Sequence, residues 1–207
     1  MLLGFLTILV MGIIAYAFWR EGPLSGLVMC CNVFLAGLVA FNFWEPIADL
    51  LEPAFSGWFL EGTEDLLALM LVFCPMLALL RWATYTLAST HMEYPEVLYR
   101  GGAVFFGLLT GYLLAGFLTC AFQTLPFHQN FLGFEPYEPG KSHPARRYLP
   151  PDVVWLAMMH RLSAGSISGG EQGGFDPRAN FELRYGRYRR FELGKDKPMK
   201  WQGEMRP

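Results

Sequence analysis

Polar residues are so sparse in the first 122 positions that the chain divides into four apolar stretches, residues 2–19, 24–44, 66–88 and 101–122. Crossing about 30 Å of hydrocarbon as a helix takes about 20 residues, and each stretch is of that order. The first two carry no ionised side chain and end on Trp19 and Trp44, aromatic residues suited to the headgroup boundary. The third contains Pro75 and Arg81. A central arginine costs about 2.5–3.5 kcal/mol on the insertion scale, against about 3–5 kcal/mol gained from the Leu, Val and Phe residues between positions 66 and 80. The balance favours a span if Arg81 lies near one end and snorkels, with Trp82 and Tyr85 at the interface. The pattern predicts an all-α membrane protein: four transmembrane helices in a domain of residues 1–122, then a mostly irregular, polar C-terminal tail over 123–207 with one short helix.

Orientation follows from charge between the stretches. Arg20 lies in the first connection, and Arg81 and Arg100 go with the one after the third stretch, whereas residues 45–65 hold six acidic residues and no Lys or Arg. The positive-inside rule then places the arginine-bearing turns in the cytoplasm and the N-terminus and tail outside. The other 13 of the 16 Lys and Arg follow residue 122, but the first, Lys141, stands about 20 residues beyond the last span, at the edge of the rule's range. A competing reading is cleavage after Ala17 in the sequence Ala15, Tyr16, Ala17, which would leave three spans and a cytoplasmic tail. The stretch lacks the positive charge that precedes the apolar part of a signal peptide.

Within the spans, the tight turn over residues 20–26 predicts that the first two helices form a hairpin. Gly22 and Gly26, and Gly107 and Gly111, repeat a small-xxx-small spacing that lets helices approach closely, which marks spans two and four for packing within the chain or between copies. Asn32 is the strongly polar residue deep in span two; it should bond across to another helix, or else line a pore. Residues 45–59 carry Ile47, Leu50, Leu51, Ala54, Phe55, Trp58 and Phe59 on a helical stripe, with Glu45, Asp49 and Glu52 off it. They predict a segment lying in the outer interface and bent at Pro53, or a re-entrant half-helix.

In the tail, residues 123–151 read as a linker, and Asp152 should cap a short helix over about 153–162. Its Val154, Trp155, Met158 and Leu162 would pack on the membrane surface or a partner. The run over residues 184–195 (RYGRYRRFELGK) presents Arg184, Tyr185, Arg187, Tyr188, Arg189 and Arg190 as a candidate binding surface. Outside the cell it would meet anionic lipid or an envelope polymer, or stay solvated; nucleic acid would require a cytoplasmic tail and is not expected.

Only 16% of the 207 residues are charged and 53% are hydrophobic, far from the quarter charged that is usual in soluble domains. Cys30, Cys31, Cys74 and Cys120 all sit inside apolar runs and form no disulfide or zinc pattern, and His91, His128, His143 and His160 share no ligand spacing. Asp152, His160 and Ser163 are too close along one helix for a catalytic triad. The chain is therefore expected to be no enzyme and to bind no metal or other cofactor.

Residues 16–27 (YAFWREGPLSGL) are similar to the charged Arg-Gly turn and following apolar, glycine-bearing helix of the CvpA family, the colicin V production proteins of bacterial inner membranes. Residues 98–111 (LYRGGAVFFGLLTG) resemble that family's final span, entered through a basic residue and carrying Gly-x-x-x-Gly. The likeness covers about residues 1–122; Glu21, Pro23 and the long tail depart from the pattern. It implies an integral inner-membrane protein linked to export, colicin V production or envelope homeostasis, and within that setting the expected role is a scaffold or accessory factor. Its partners would be the lipid bilayer and a membrane protein or further copies of itself. The alternative is an oligomeric channel or transporter for a small solute.

Overall fold

The computed structural model describes residues 2–55, 63–87, 95–125 and 151–165. These form five helices: α1 (Leu2–Phe18), α2 (Pro23–Phe55), α3 (Glu64–Leu87), α4 (Glu96–Gln123) and α5 (Pro151–Gly165). Among the described residues there is no strand. Helices α2, α3 and α4 are long and apolar enough to cross a membrane. The 17 residues of α1, about 26 Å long, stand at the short end of the spanning range.

Helix α4 is the centre of the bundle. It packs against α1, α2 and α5, while α3 packs mainly on α2. Ala15 of α1 faces Gly107 of α4 and Met11 faces Gly111, so α1 and α4 are antiparallel; Pro23 faces Gly102 and Gly26 faces Phe106, so α2 and α4 are parallel. The expected α1–α2 hairpin is thereby corrected, because the two helices are joined by a tight turn yet barely touch. The glycines of α4 let its backbone approach α1 more closely than the bulkier α2 surface could, and α4 takes the place between them. Gly22 makes the turn possible: its φ is +93° and its amide bonds Phe18 O at 3.2 Å.

A second correction concerns residues 45–59. No separate interfacial segment forms over the described part, because α2 continues unbroken through Pro46 and Pro53 to Phe55. Its 33 residues span about 50 Å, well beyond the hydrocarbon thickness, so the end bearing Glu45, Asp49 and Glu52 can emerge without bending. Trp44 and Ala48 are buried there, and Ile47 and Leu51 pack against the core. This burial offsets the amide that each proline lacks. Residues 56–62, with Trp58 and Phe59, lie outside the described residues.

The core is aromatic. Phe73 of α3 stacks on Phe117 of α4 with ring centroids 3.9 Å apart, and Phe117 meets Phe41 of α2 and Trp155 of α5 edge-on, each at 5.9 Å. Ring pairs of this kind add about 0.5–1.5 kcal/mol each beyond area burial. Helix α5 thus packs on α4 and α2 of its own chain. Trp155, expected on the membrane surface or a partner, is instead buried in the core of its own bundle together with Met159, which the stripe did not include, while Leu162 lies at the exposed edge.

Candidate functional sites in the bundle

The four small residues singled out from sequence occupy different contacts. Gly107 and Gly111 both face α1: a Cβ added at either would stand 2.7 Å from Ala15 Cα or 2.6 Å from Met11 Cα. A Cβ added at Gly26 would stand 3.0 Å from Phe106 Cβ, within the α2–α4 contact. There Thr110 bonds the carbonyl of Phe106 at 2.7 Å and lies 3.3 Å from that of Gly26. Gly22 precedes α2, in the turn, and is covered by the ring of Tyr99, 2.6 Å from an added Cβ. The Gly22 and Gly26 pair therefore does not form one face at the start of α2 as expected, because the positive φ takes Gly22 out of the helix.

Two contacts had no counterpart in the sequence reading. Gly37 of α2 and Gly116 of α4 form a notch for Trp155: an added Cβ at Gly37 would meet the indole ring, and one at Gly116 would stand 2.6 Å from the Pro151 carbonyl and 3.0 Å from Trp155 Cβ. The indole is used for its bulk, since Nε1 is buried and makes no hydrogen bond among the described residues. Asp152 does not stand outside the helix as its cap. Helix α5 begins at Pro151, a position whose missing amide costs a helix nothing, and this brings Asp152 into the first turn. Its carboxylate accepts a 2.8 Å bond from Gln123 Nε2 at the end of α4, and both side chains are buried. The Cys120 thiol adds a weak contact to the Asp152 carbonyl at 3.7 Å. Gly37, 11 residues beyond Gly26, Gly116, five residues beyond Gly111, and a glutamine ending an apolar run were the available signals.

Asn32 is buried and donates from Nδ2 to Thr84 Oγ1 of α3 at 3.0 Å; Thr84 in turn donates to Leu80 O at 2.8 Å. The amide thus bridges α2 and α3. Interhelical bonds of this kind average about 0.6 kcal/mol in membranes and reach about 1.7. A double-mutant cycle of Asn32→Ala and Thr84→Ala, read by unfolding in SDS titration, should give a coupling in that range; zero coupling would count against the bond. Arg81 lies near the C-terminal end of α3, where its Nη2 is 3.8 Å from Glu21 Oε1. The basic and aromatic residues Arg184, Tyr185, Arg187, Tyr188, Arg189 and Arg190 lie outside the described residues, as do His91, His128 and His143. Among the described residues no group of His, Cys, Asp and Glu is placed to hold a metal ion.

The apolar helices, interlocked through glycines, define a multi-pass helical membrane protein. The sequence profile described as Colicin V production protein matches residues 3–135, and the chain belongs to that family. The match takes in α1 to α4 and stops before α5. No curated protein and no solved structure shows significant similarity to the chain.

Proposed function

We propose that the protein is a non-catalytic scaffold or accessory factor of the bacterial inner membrane that supports colicin V production, export or envelope homeostasis. The family supports the setting. The observation that carries the scaffold reading is the filled interior, where Phe41, Phe73, Phe117 and Trp155 meet ring to ring between α2, α3, α4 and α5. Such an interior serves to hold a shape, and among the described residues its centre is filled by aromatic side chains. The outer faces supply contact area: Leu71, Leu79 and Trp82 on α3 and Phe5, Ile8 and Ile13 on α1 are exposed, to lipid or to a partner's helices. In the orientation that fits the charges, the end with Arg20, Arg81 and Arg100 is cytoplasmic and the tail, including α5, is extracytoplasmic.

Two measurements test the reading together. Colicin V secretion should fall in producing cells that lack the protein and return on complementation. Purified protein in liposomes should pass ions and small solutes no faster than empty liposomes. Sustained solute flux would replace the scaffold by the channel, and unchanged secretion would remove the link to export.

A further inference from the structure

The arginines of the spanning region come from three different elements and gather at one end of the bundle. Arg20 lies in the α1–α2 turn, Arg81 in the last turns of α3 and Arg100 in the first turns of α4. Contacts around the turn hold them there. The Tyr99 hydroxyl donates to the Arg20 carbonyl at 3.1 Å, and Ser25 donates to Glu21 Oε2 at 2.8 Å, leaving Glu21 Oε1 3.8 Å from Arg81. Arg100 bonds Glu96 at 2.6 Å and carries its guanidinium 6.0 Å from the Trp19 ring centroid. Arg20 is exposed and makes no ion pair among the described residues.

Among the described residues, three guanidinium groups thus gather with two carboxylates, Glu21 and Glu96. The side chains of Arg81 and Arg100 remain 57% and 55% exposed, so each keeps donors open, and exposed pairs of this kind hold their partners only weakly. At the same end Trp19, Trp82 and Tyr85 are exposed, and exposed apolar side chains, Leu79 of α3 and Phe105 of α4, continue toward the middle of the bundle. Aromatic rings at the boundary with cations beside them and apolar surface beyond match the parts of a phospholipid: phosphate, glycerol region and acyl chains.

We propose that this cluster is a headgroup site for an anionic phospholipid, with Arg20 as its free cation and Arg81 and Arg100 turning toward the same phosphate. A soluble phosphate would use the arginines but gain nothing from the exposed rings and leucines, which is why a lipid is the better occupant. The site depends on the protein being in a membrane and is independent of the scaffold reading.

The full-length protein, purified in neutral detergent, is titrated with phosphatidylglycerol, phosphatidylcholine or soluble glycerol phosphate. Retained lipid is counted by native mass spectrometry and the thermal midpoint is followed. Phosphatidylglycerol should be retained in preference to phosphatidylcholine. Arg20→Gln should reduce that preference by up to about fivefold, the effect of one basic residue at an anionic surface. The combined change of Arg20, Arg81 and Arg100 to Gln should abolish it, while the same positions changed to Lys should keep most of it. Equal retention of both lipids, a preference that survives the triple Gln change, or full protection by glycerol phosphate alone would overturn the site. If the triple variant does not fold, Arg20→Gln decides, because its side chain holds no ion pair in the described structure.

Discussion

Replacing Gly107 and Gly111 by leucine will detach α1 from the bundle. At both positions the atom in the way belongs to the α1 backbone, 2.7 Å and 2.6 Å from an added Cβ, and a helix backbone cannot yield as a side chain can. Nearly all of what holds α1 in place is its contact with α4. Overpacking costs about 1–3 kcal/mol at a site that can partly adjust. The two substitutions should fall short of additive, because the shift of α1 forced by the first relieves the second. Unfolding in SDS titration of Gly107→Leu, Gly111→Leu and the pair will show this. Gly101→Leu is the control: nothing lies within 4 Å of a Cβ there, and stability should be unchanged. Once detached, α1 remains an apolar helix in the bilayer, so the loss will appear as weakened association and not as failed insertion. Equal stability of Gly111→Leu and the parent chain would mean that α1 and α4 do not meet through this face.

The same helices show what the sequence carried and what it could not. Length and apolarity identified α1 to α4, because those properties are local and a bilayer selects on them directly. Spacing of small residues likewise marked Gly107 and Gly111 as sites of close approach. It did not say which helix approaches: adjacency in sequence favoured α1 on α2, whereas backbone proximity placed α1 on α4. The extension of α2 through Pro46 and Pro53 was hidden for a similar reason. Proline penalties are read locally, but the burial of Trp44 and Ala48 in the core that offsets them is a tertiary fact. Asn32 could be assigned a partner in kind, a polar side chain on another helix, and Thr84 could be found only once α2 and α3 were set side by side. Least legible was α5. Its apolar residues were evident, yet a stripe of four cannot distinguish a lipid surface from a groove whose floor is Gly37, 118 residues earlier in the chain.

That groove gives the second large effect, and it lies partly beyond the family match, which ends at residue 135 while α5 begins at Pro151. Trp155→Ala should cost about 3–5 kcal/mol of α5 docking, as expected when a fully buried indole is removed and the notch of Gly37 and Gly116 is left empty. Gly37→Leu should undock α5 by the opposite route, since a Cβ at that position would stand within 2.4 Å of two indole carbons and the ring is already fixed between Phe41 and Phe117. The two defects have opposite signs in volume, so they should compensate. Leucine at 37 occupies space that alanine at 155 vacates, and the double variant should recover part of the docking that each single change loses. Hydrogen exchange of the α5 amides reads this directly, because loss of docking leaves a helix of only 15 residues that is marginal alone in water. Protection should fall in both single variants and return in part in the double one, while the amides of α3, which packs mainly on α2, keep theirs. If the double variant is no better protected than the singles, Trp155 and Gly37 are not partners. If Trp155→Ala leaves α5 protected, the Gln123–Asp152 bond and Met159 hold the helix without the indole.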